Sequence, residues 1–273
     1  MTPGASQRIG GLVAKDLAEL SRNPGATVPP ILTAIAAMVP AFLITIVTPK
    51  ISGEHVADAQ ELQRAAQRAA ELLPELGLLA PNAQVQAFMF QQFALFLLLV
   101  PVVGSMALAA HAIIGEKIAR TLEPLLATPI STIELLVAKT SAPFALTLAL
   151  MWATLLVYVG GIAAVAEPDV WRALVGTRVV VMFFVVGPLI SLVSLQLAIV
   201  ISSRVNDPRS AQQLGALIIL PVTGLFVAQL MGGFVVGVNA LLAIAAGLAV
   251  VNAGLLYLGA RVFQRENILM RWK

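Results

Sequence analysis

The chain has 273 residues, of which 59% are hydrophobic and 11% charged, and its mean hydropathy is +0.92. A soluble domain carries roughly a quarter charged residues, so this composition belongs to a bilayer. The net charge of +3 is spread over loops with no continuous basic stripe, which argues against a nucleic-acid partner; the lack of cysteine excludes disulfides, thiolate zinc sites and thiol nucleophiles.

Residues 6–22, "SQRIGGLVAKDLAELSR", place Ile9, Leu12, Val13, Leu17 and Leu20 near one helical face, with Lys15, Asp16 and Glu19 turned away from it. That pattern predicts an interfacial helix on the cytoplasmic leaflet, within a cytoplasmic lead-in of residues 1–27. Asn23-Pro24-Gly25 breaks it. The polar start and the length of the next apolar run are unlike a cleaved signal peptide.

A helix needs roughly 20 apolar residues to cross a bilayer. Six runs approach that length, near 28–48, 88–114, 140–166, 179–202, 214–230 and 238–260. The fifth is short and ends in "MGGFVVG", which reads as a tight outer hairpin or a re-entrant pair. With the N-terminus inside, twelve lysines and arginines fall on the cytoplasmic side. Only Lys50, Arg64, Arg68, Arg172 and Arg178 fall outside. The excess of basic residues marks the inner face, so both termini are expected in the cytoplasm.

Residues 51–87 form the one sizeable outer segment. Val56, Leu62, Ala66, Ala69 and Leu73 recur at steps of three and four, which predicts an amphipathic helix over 54–73, stopped by Pro74 and followed by Pro81. It reads as a connector capping the bundle, with a lid or docking site as the other reading.

Uncharged polar residues sit inside the runs, among them Gln91, Gln92, Ser105, Ser191, Ser194, Gln196, Gln229 and Asn252. Such groups commonly join helices by hydrogen bonds. Gln92, Ser105, Ser191, Ser194 and Gln196 are also candidates to line a substrate path. No Asp or Glu lies mid-span, which counts against a proton- or sodium-coupled carrier. Pro101, Pro143, Pro188 and Pro221 predict bends, the one at "VVGPLISL" in the fourth run foremost.

No G-x-x-x-x-G-K-[ST], H-E-x-x-H or G-x-S-x-G occurs, and His55 and His111 stand far apart. The chain is therefore expected to bind neither ATP nor a metal by itself, and to be no enzyme.

The longest polar interruption after residues 51–87 is residues 115–139, "GEKIARTLEPLLATPISTIELLVAK". Glu116 and Arg120 are four apart and can pair on a helix continuing from the second run. Thr121, Leu122 and Glu123 lead into Pro124, which ends it. Leu125 and Leu126 follow as an apolar elbow. Thr128-Pro129 reads as an N-cap with proline in the first turn; the capping-box pattern Ser131-Thr132-Ile133-Glu134 offers a later start. A capped, partly apolar element between two spans serves equally well as a docking point for a soluble partner or as a plain connector.

This stretch resembles the loop between the second and third spans of ABC-2 type transporter permeases. There the pattern is approximately E-K-[E]-x-x-T-L-E-x-L-L-x-[TS]-P-[IV]-[ST]-x-x-E-L-L-x-[GA]-K. Glu116, Lys117, Thr121, Leu122, Glu123, Leu125, Leu126, Thr128, Pro129, Ile130, Ser131, Glu134, Leu135, Leu136 and Lys139 match it, while Ile118 and Arg120 depart from it. Residues 201–221, the tail "RVFQRENILMRWK" and the lead-in "LVAKDLAELSRNP" resemble the same family.

The resemblance implies an all-α membrane protein with six transmembrane helices, an N-terminal interfacial helix and a cytoplasmic coupling helix, as in type V exporters. Residues 1–273 would be one transmembrane domain. It would pair with a second permease copy or a paralogue and with two copies of an ABC ATPase subunit that carries ATP and Mg. The residues implied for ATPase coupling are Glu116, Lys117, Arg120, Thr121, Leu122, Glu123, Leu125, Leu126, Thr128, Pro129, Ile130, Ser131 and Glu134. The implied role is the permease subunit of an ATP-driven exporter in a bacterial cytoplasmic (inner) membrane. A secondary carrier without an ATPase, or a scaffold that binds a soluble partner, are the rival readings.

Overall fold

The computed structural model describes residues 5–53, 58–118, 132–202, 213, 216–232 and 235–262. Among them there is no strand. Helix α1 spans Ala5–Ser21 and α2 spans Pro24–Ser52. At their junction Asn23 caps α2, its side chain accepting from Gly25 N–H at 3.0 Å, and Pro24 takes the first turn, where its missing N–H costs nothing. On the far side follow α3 (Gln60–Leu72), the short α4 (Pro74–Gly77) and α5 (Pro81–Phe96). Next come α6 (Leu99–Ile118), α7 (Thr132–Val165) and the short α8 (Val170–Leu174). Helix α9 runs Thr177–Val181, passes one π turn at Met182–Val186, and resumes as Gly187–Ser202. Helices α10 (Ile219–Gly232) and α11 (Val238–Val262) complete the bundle.

Five of these stretches are long and apolar enough to cross a membrane: α2, α5 with α6, α7, α9 and α11. The protein is an all-helical integral membrane protein. The fifth apolar run of the sequence becomes α10, whose 14 residues rise about 21 Å, short of a hydrocarbon core of about 30 Å. The amphipathic helix expected over 54–73 is observed over Gln60–Leu72, with residues 54–57 outside the described residues.

Prolines set the irregularities. Pro101 cannot donate to the Leu97 carbonyl four residues back, so Leu97 O accepts from Val100 N–H at 3.0 Å instead, and α5 gives way to α6 through a tight turn. Both π turns end two residues before a proline. In α2 the Thr48 N–H reaches back to Leu43 O ahead of Pro49; in α9 the Gly187 N–H reaches back to Met182 O ahead of Pro188. The bend expected at "VVGPLISL" is this second π turn.

Helix α5 is the axis of the fold. From Val85 to Leu95 every residue is buried, whereas α2, α7 and α11 hide only one side of each helix. Large apolar side chains such as Leu156, Val157, Val250 and Leu256 stay exposed, as a lipid-facing surface requires. At the end of the bundle where α1 lies, called proximal below, Leu20 packs with Ala26, Leu108, Ala112 and Ala142. Asp16 corrects the sequence reading. It is buried on the same face as Val13, Leu17 and Leu20, because the packed face of α1 follows the bundle and not the apolar stripe alone.

Candidate functional site

The segment expected to couple to an ATPase is flanked by α6 and α7. Glu116 and Lys117 lie on the last turn of α6, and Glu134 on the first turn of α7. Arg120, Thr121, Leu122, Glu123, Leu125, Leu126, Thr128, Pro129, Ile130 and Ser131 lie outside the described residues. Helix α7 begins at Thr132, directly after Ser131.

The five candidate path residues are mostly engaged in contacts between or within helices. Ser105 and Ser191, both wholly buried, share a hydrogen bond of 2.7 Å that ties α6 to α9. Ser194 donates to Ile190 O at 2.8 Å within α9. Gln196 Nε2 donates to Asn252 Oδ1 at 3.0 Å, and Asn252 donates onward to Leu189 O and Leu248 O, so α9 and α11 are joined. Gln196 Oε1 is buried and has no hydrogen-bond partner among the described residues. Gln92 is buried on α5 and accepts from Gln229 Nε2 of α10.

Toward the distal end, Gln92 is one member of a closed ring. Arg178, two residues into α9, is 1% exposed. Its Nη1 donates to the main-chain oxygen of Gln91 at 3.0 Å and to Gln91 Oε1 at 2.9 Å; its Nε donates to Val236 O at 2.9 Å. Val236 N–H donates to Gln229 Oε1 at 3.3 Å, and Gln229 returns to Gln92, the neighbour of Gln91. Gln91 Nε2 extends the ring to Ala173 O of α8 at 3.1 Å. Four parts of the chain are thereby held together: α5, the short α8, the start of α9, and α10 with residues 235–237.

The chemistry of this ring is unusual for an arginine in an apolar bundle. Among the described residues no carboxylate forms an ion pair with Arg178, and Nη2 has no hydrogen-bond partner. The charge is held by neutral carbonyl oxygens alone. Arg172, six residues earlier, makes the contrast: it is exposed, pairs with Asp169 at 2.7 Å and lies over the Trp171 ring. An intramembrane charge is expensive and calls for a functional explanation. Sequence reading counted Arg178 only as an outer basic residue. The available signal was that no Asp or Glu stands within four residues of it, unlike Arg172.

Aromatic contacts frame the ring. Phe42, Phe90 and Tyr158 form a triangle with centroids 5.3, 5.7 and 5.9 Å apart, and Tyr158 Oη donates to Phe90 O at 2.9 Å. Phe226 of α10 stacks on Phe96 at 4.6 Å. A cavity of about 440 Å³ opens at the far ends of α2, α5 and α7, lined by Thr45, Lys50, Asn82, Gln86 and Glu167 among others, with none of the five path candidates in its wall. Among the described residues no cluster of histidine, aspartate and glutamate could hold a metal.

No curated protein matches the chain. The family model described as "ABC-2 family transporter protein" matches residues 30–260, from the second turn of α2 to the last turn of α11. The match takes in four candidate membrane spans whole and most of the first, the segment between α6 and α7 and the buried ring, and the chain therefore belongs to the ABC-2 family of transporter proteins.

Proposed function

We propose that the chain is the permease subunit of an ATP-binding cassette exporter, driven by a separate ATPase. The observation that carries this reading is the family match over residues 30–260, which encloses the segment 115–139. Family membership implies association with an ABC ATPase subunit and the membrane. The finer picture is ours. Two permease chains, identical or paralogous, assemble with two ATPases that hold ATP and Mg. The α6–α7 segment is the coupling element, and α10 counts as one of six crossings. The termini and the α6–α7 segment face the cytoplasm, so the distal ring lies toward the outside of a bacterial inner membrane.

Docking at the coupling element rests on Leu125, Leu126 and Ile130, since burying one such side chain stabilises a contact by roughly 1.5–3 kcal/mol. Glu116, Lys117, Arg120, Thr121, Leu122, Glu123 and Glu134 give electrostatic and shape complementarity, and Thr128, Pro129 and Ser131 fix the start of the helix. Apart from the engaged Arg178 and Lys50 at the far end of α2, the candidate spans carry no lysine, arginine, aspartate or glutamate, so the substrate is apolar or amphipathic. A route past α9 and α11 would use the open acceptor Gln196 Oε1.

The test is a mild-detergent pull-down of the tagged chain from its native membrane, with mass spectrometry and an ATPase assay on the eluate. A stoichiometric P-loop ATPase is expected, and Leu126→Asp should release it while leaving the chain inserted. Recovery of the chain alone, or an ATPase that stays bound and active with Leu126→Asp, overturns the docking scheme.

A further inference from the structure

The ring around Arg178 joins one fully buried helix to two segments that adjoin breaks in the helical structure. Helix α5 is the buried helix: Gln91 and Gln92 lie in its fully buried stretch. The first turn of α9, which carries Arg178, is bounded by Gly176 in extended conformation and by the π turn at Met182–Val186. Below it stand Gly187 and Pro188. A π turn followed by proline is a discontinuity in the helix ladder, where bending breaks fewer main-chain bonds than elsewhere. Val236 sits in the non-helical residues 235–237 before α11, the second such break.

The bonding across the ring suits release. An arginine locked to a buried carboxylate loses strong, directional pairing when it leaves. Arg178 instead holds only neutral carbonyl and amide oxygens, and water can replace each of these once the end of the bundle opens. Its buried Nη2 has no hydrogen-bond partner among the described residues and gains one once water enters. The same residues, exchanging protein acceptors for water, can therefore sit closed or open without leaving the charge stranded in an apolar site.

We propose that Arg178 is the positioning residue of a distal gate. The ring Gln91–Arg178–Val236–Gln229–Gln92 holds the start of α9 and residues 235–237 before α11 against α5, and both swing away when the transport route opens at that end. The inference rests on the permease reading, because it is the ATPase that would drive the opening. What it adds is the location of the gate, the residue that closes it and the turn about which it moves.

The experiment is hydrogen–deuterium exchange of the full-length protein, purified with its co-purifying ATPase, with and without ATP and vanadate. In the wild type, nucleotide is expected to speed exchange in peptides covering residues 177–182 and 235–241, with residues 85–95 unchanged. Arg178→Gln should speed exchange in both peptides about tenfold without nucleotide, equivalent to about 1.4 kcal/mol of opening free energy, and nucleotide should then add little. Gln229→Leu breaks the ring away from the charge and should speed exchange at 235–241, which keeps the test open if Arg178→Gln fails to fold. A static brace would show no nucleotide response at these peptides, and that result overturns the gate. Exchange within twofold of wild type in the variants overturns it even if no ATPase is recovered. Absence of any ATPase, with the variants behaving as expected, counts against the permease reading alone.

Discussion

Arg178 binds Gln91 twice, through the side-chain amide oxygen at 2.9 Å and the main-chain oxygen at 3.0 Å, using one guanidinium nitrogen for both. The two residues are 87 apart in the chain and both are buried. Only a planar, multi-donor group can serve this arrangement and still reach Val236 O with its Nε. Lysine brings the same charge on a single nitrogen and cannot span the acceptors. Methionine brings similar bulk with no charge to desolvate.

The order of stability is therefore expected to run wild type, then Arg178→Met, then Arg178→Lys. Methionine leaves Gln91 Oε1 and Val236 O without their donor, at about 1–3 kcal/mol for each unsatisfied group. Lysine leaves part of that deficit and also a buried charge with fewer partners, the costlier situation. Denaturant unfolding in detergent, followed by tryptophan fluorescence, measures the order. Arg178→Lys at or above Arg178→Met would show that the site values the charge more than the fork geometry.

Gly161 and Phe42 form a second close contact. A Cβ on Gly161 would stand 2.8 Å from Phe42 Cζ and 3.3 Å from its Cε1. Phe42 is held in turn against Phe90 and Tyr158. Gly161→Val should destabilise by about 1–3 kcal/mol, the usual cost of overpacking. Phe42→Leu in the same chain should restore part of the loss. A double-mutant cycle reads the coupling, and additive effects would mean that the ring yields freely.

The π turn in α9 leaves one carbonyl to be satisfied from outside. Phe183 O would ordinarily accept from Gly187 N–H, which is taken by Met182 O, and the next residue is proline with no N–H. Trp152 Nε1 of α7 donates to Phe183 O at 3.3 Å, while its ring stacks on Phe184 at 5.5 Å. Trp152→Phe keeps a ring and removes the donor, and is expected to cost about 1–3 kcal/mol. In a Pro188→Ala background the new N–H can reach Phe183 O, so the same change should cost less there. A coupling of about 0.5 kcal/mol or more is the expected result. Equal costs in both backgrounds would assign Trp152 to packing alone.

Local rules carried much of the fold. Membrane insertion, the helix break at Asn23-Pro24, the amphipathic helix at Gln60–Leu72 and the bends at Pro101 and Pro188 all follow from hydropathy, helical spacing and the missing proline N–H. Each depends on residues a few positions apart, so each is written in the chain itself. The motif at 115–139 was likewise legible as a family signature, and the family match includes it.

The partners of Arg178, Gln229 and Asp16 were decided elsewhere. Arg178 meets Val236 across 58 residues, and Gln229 meets Gln92 across 137. Asp16 is buried on a face that spacing alone had assigned to apolar side chains. Such pairings depend on how whole helices pack, and an arginine before an apolar run reads the same whether it faces water or a ring of carbonyls. The sequence by itself determined that the chain lives in a bilayer, which segments are helical and where they break. Only the tertiary structure decided which polar groups those helices bury against one another, because burial is a property of three-dimensional neighbours and not of chain neighbours.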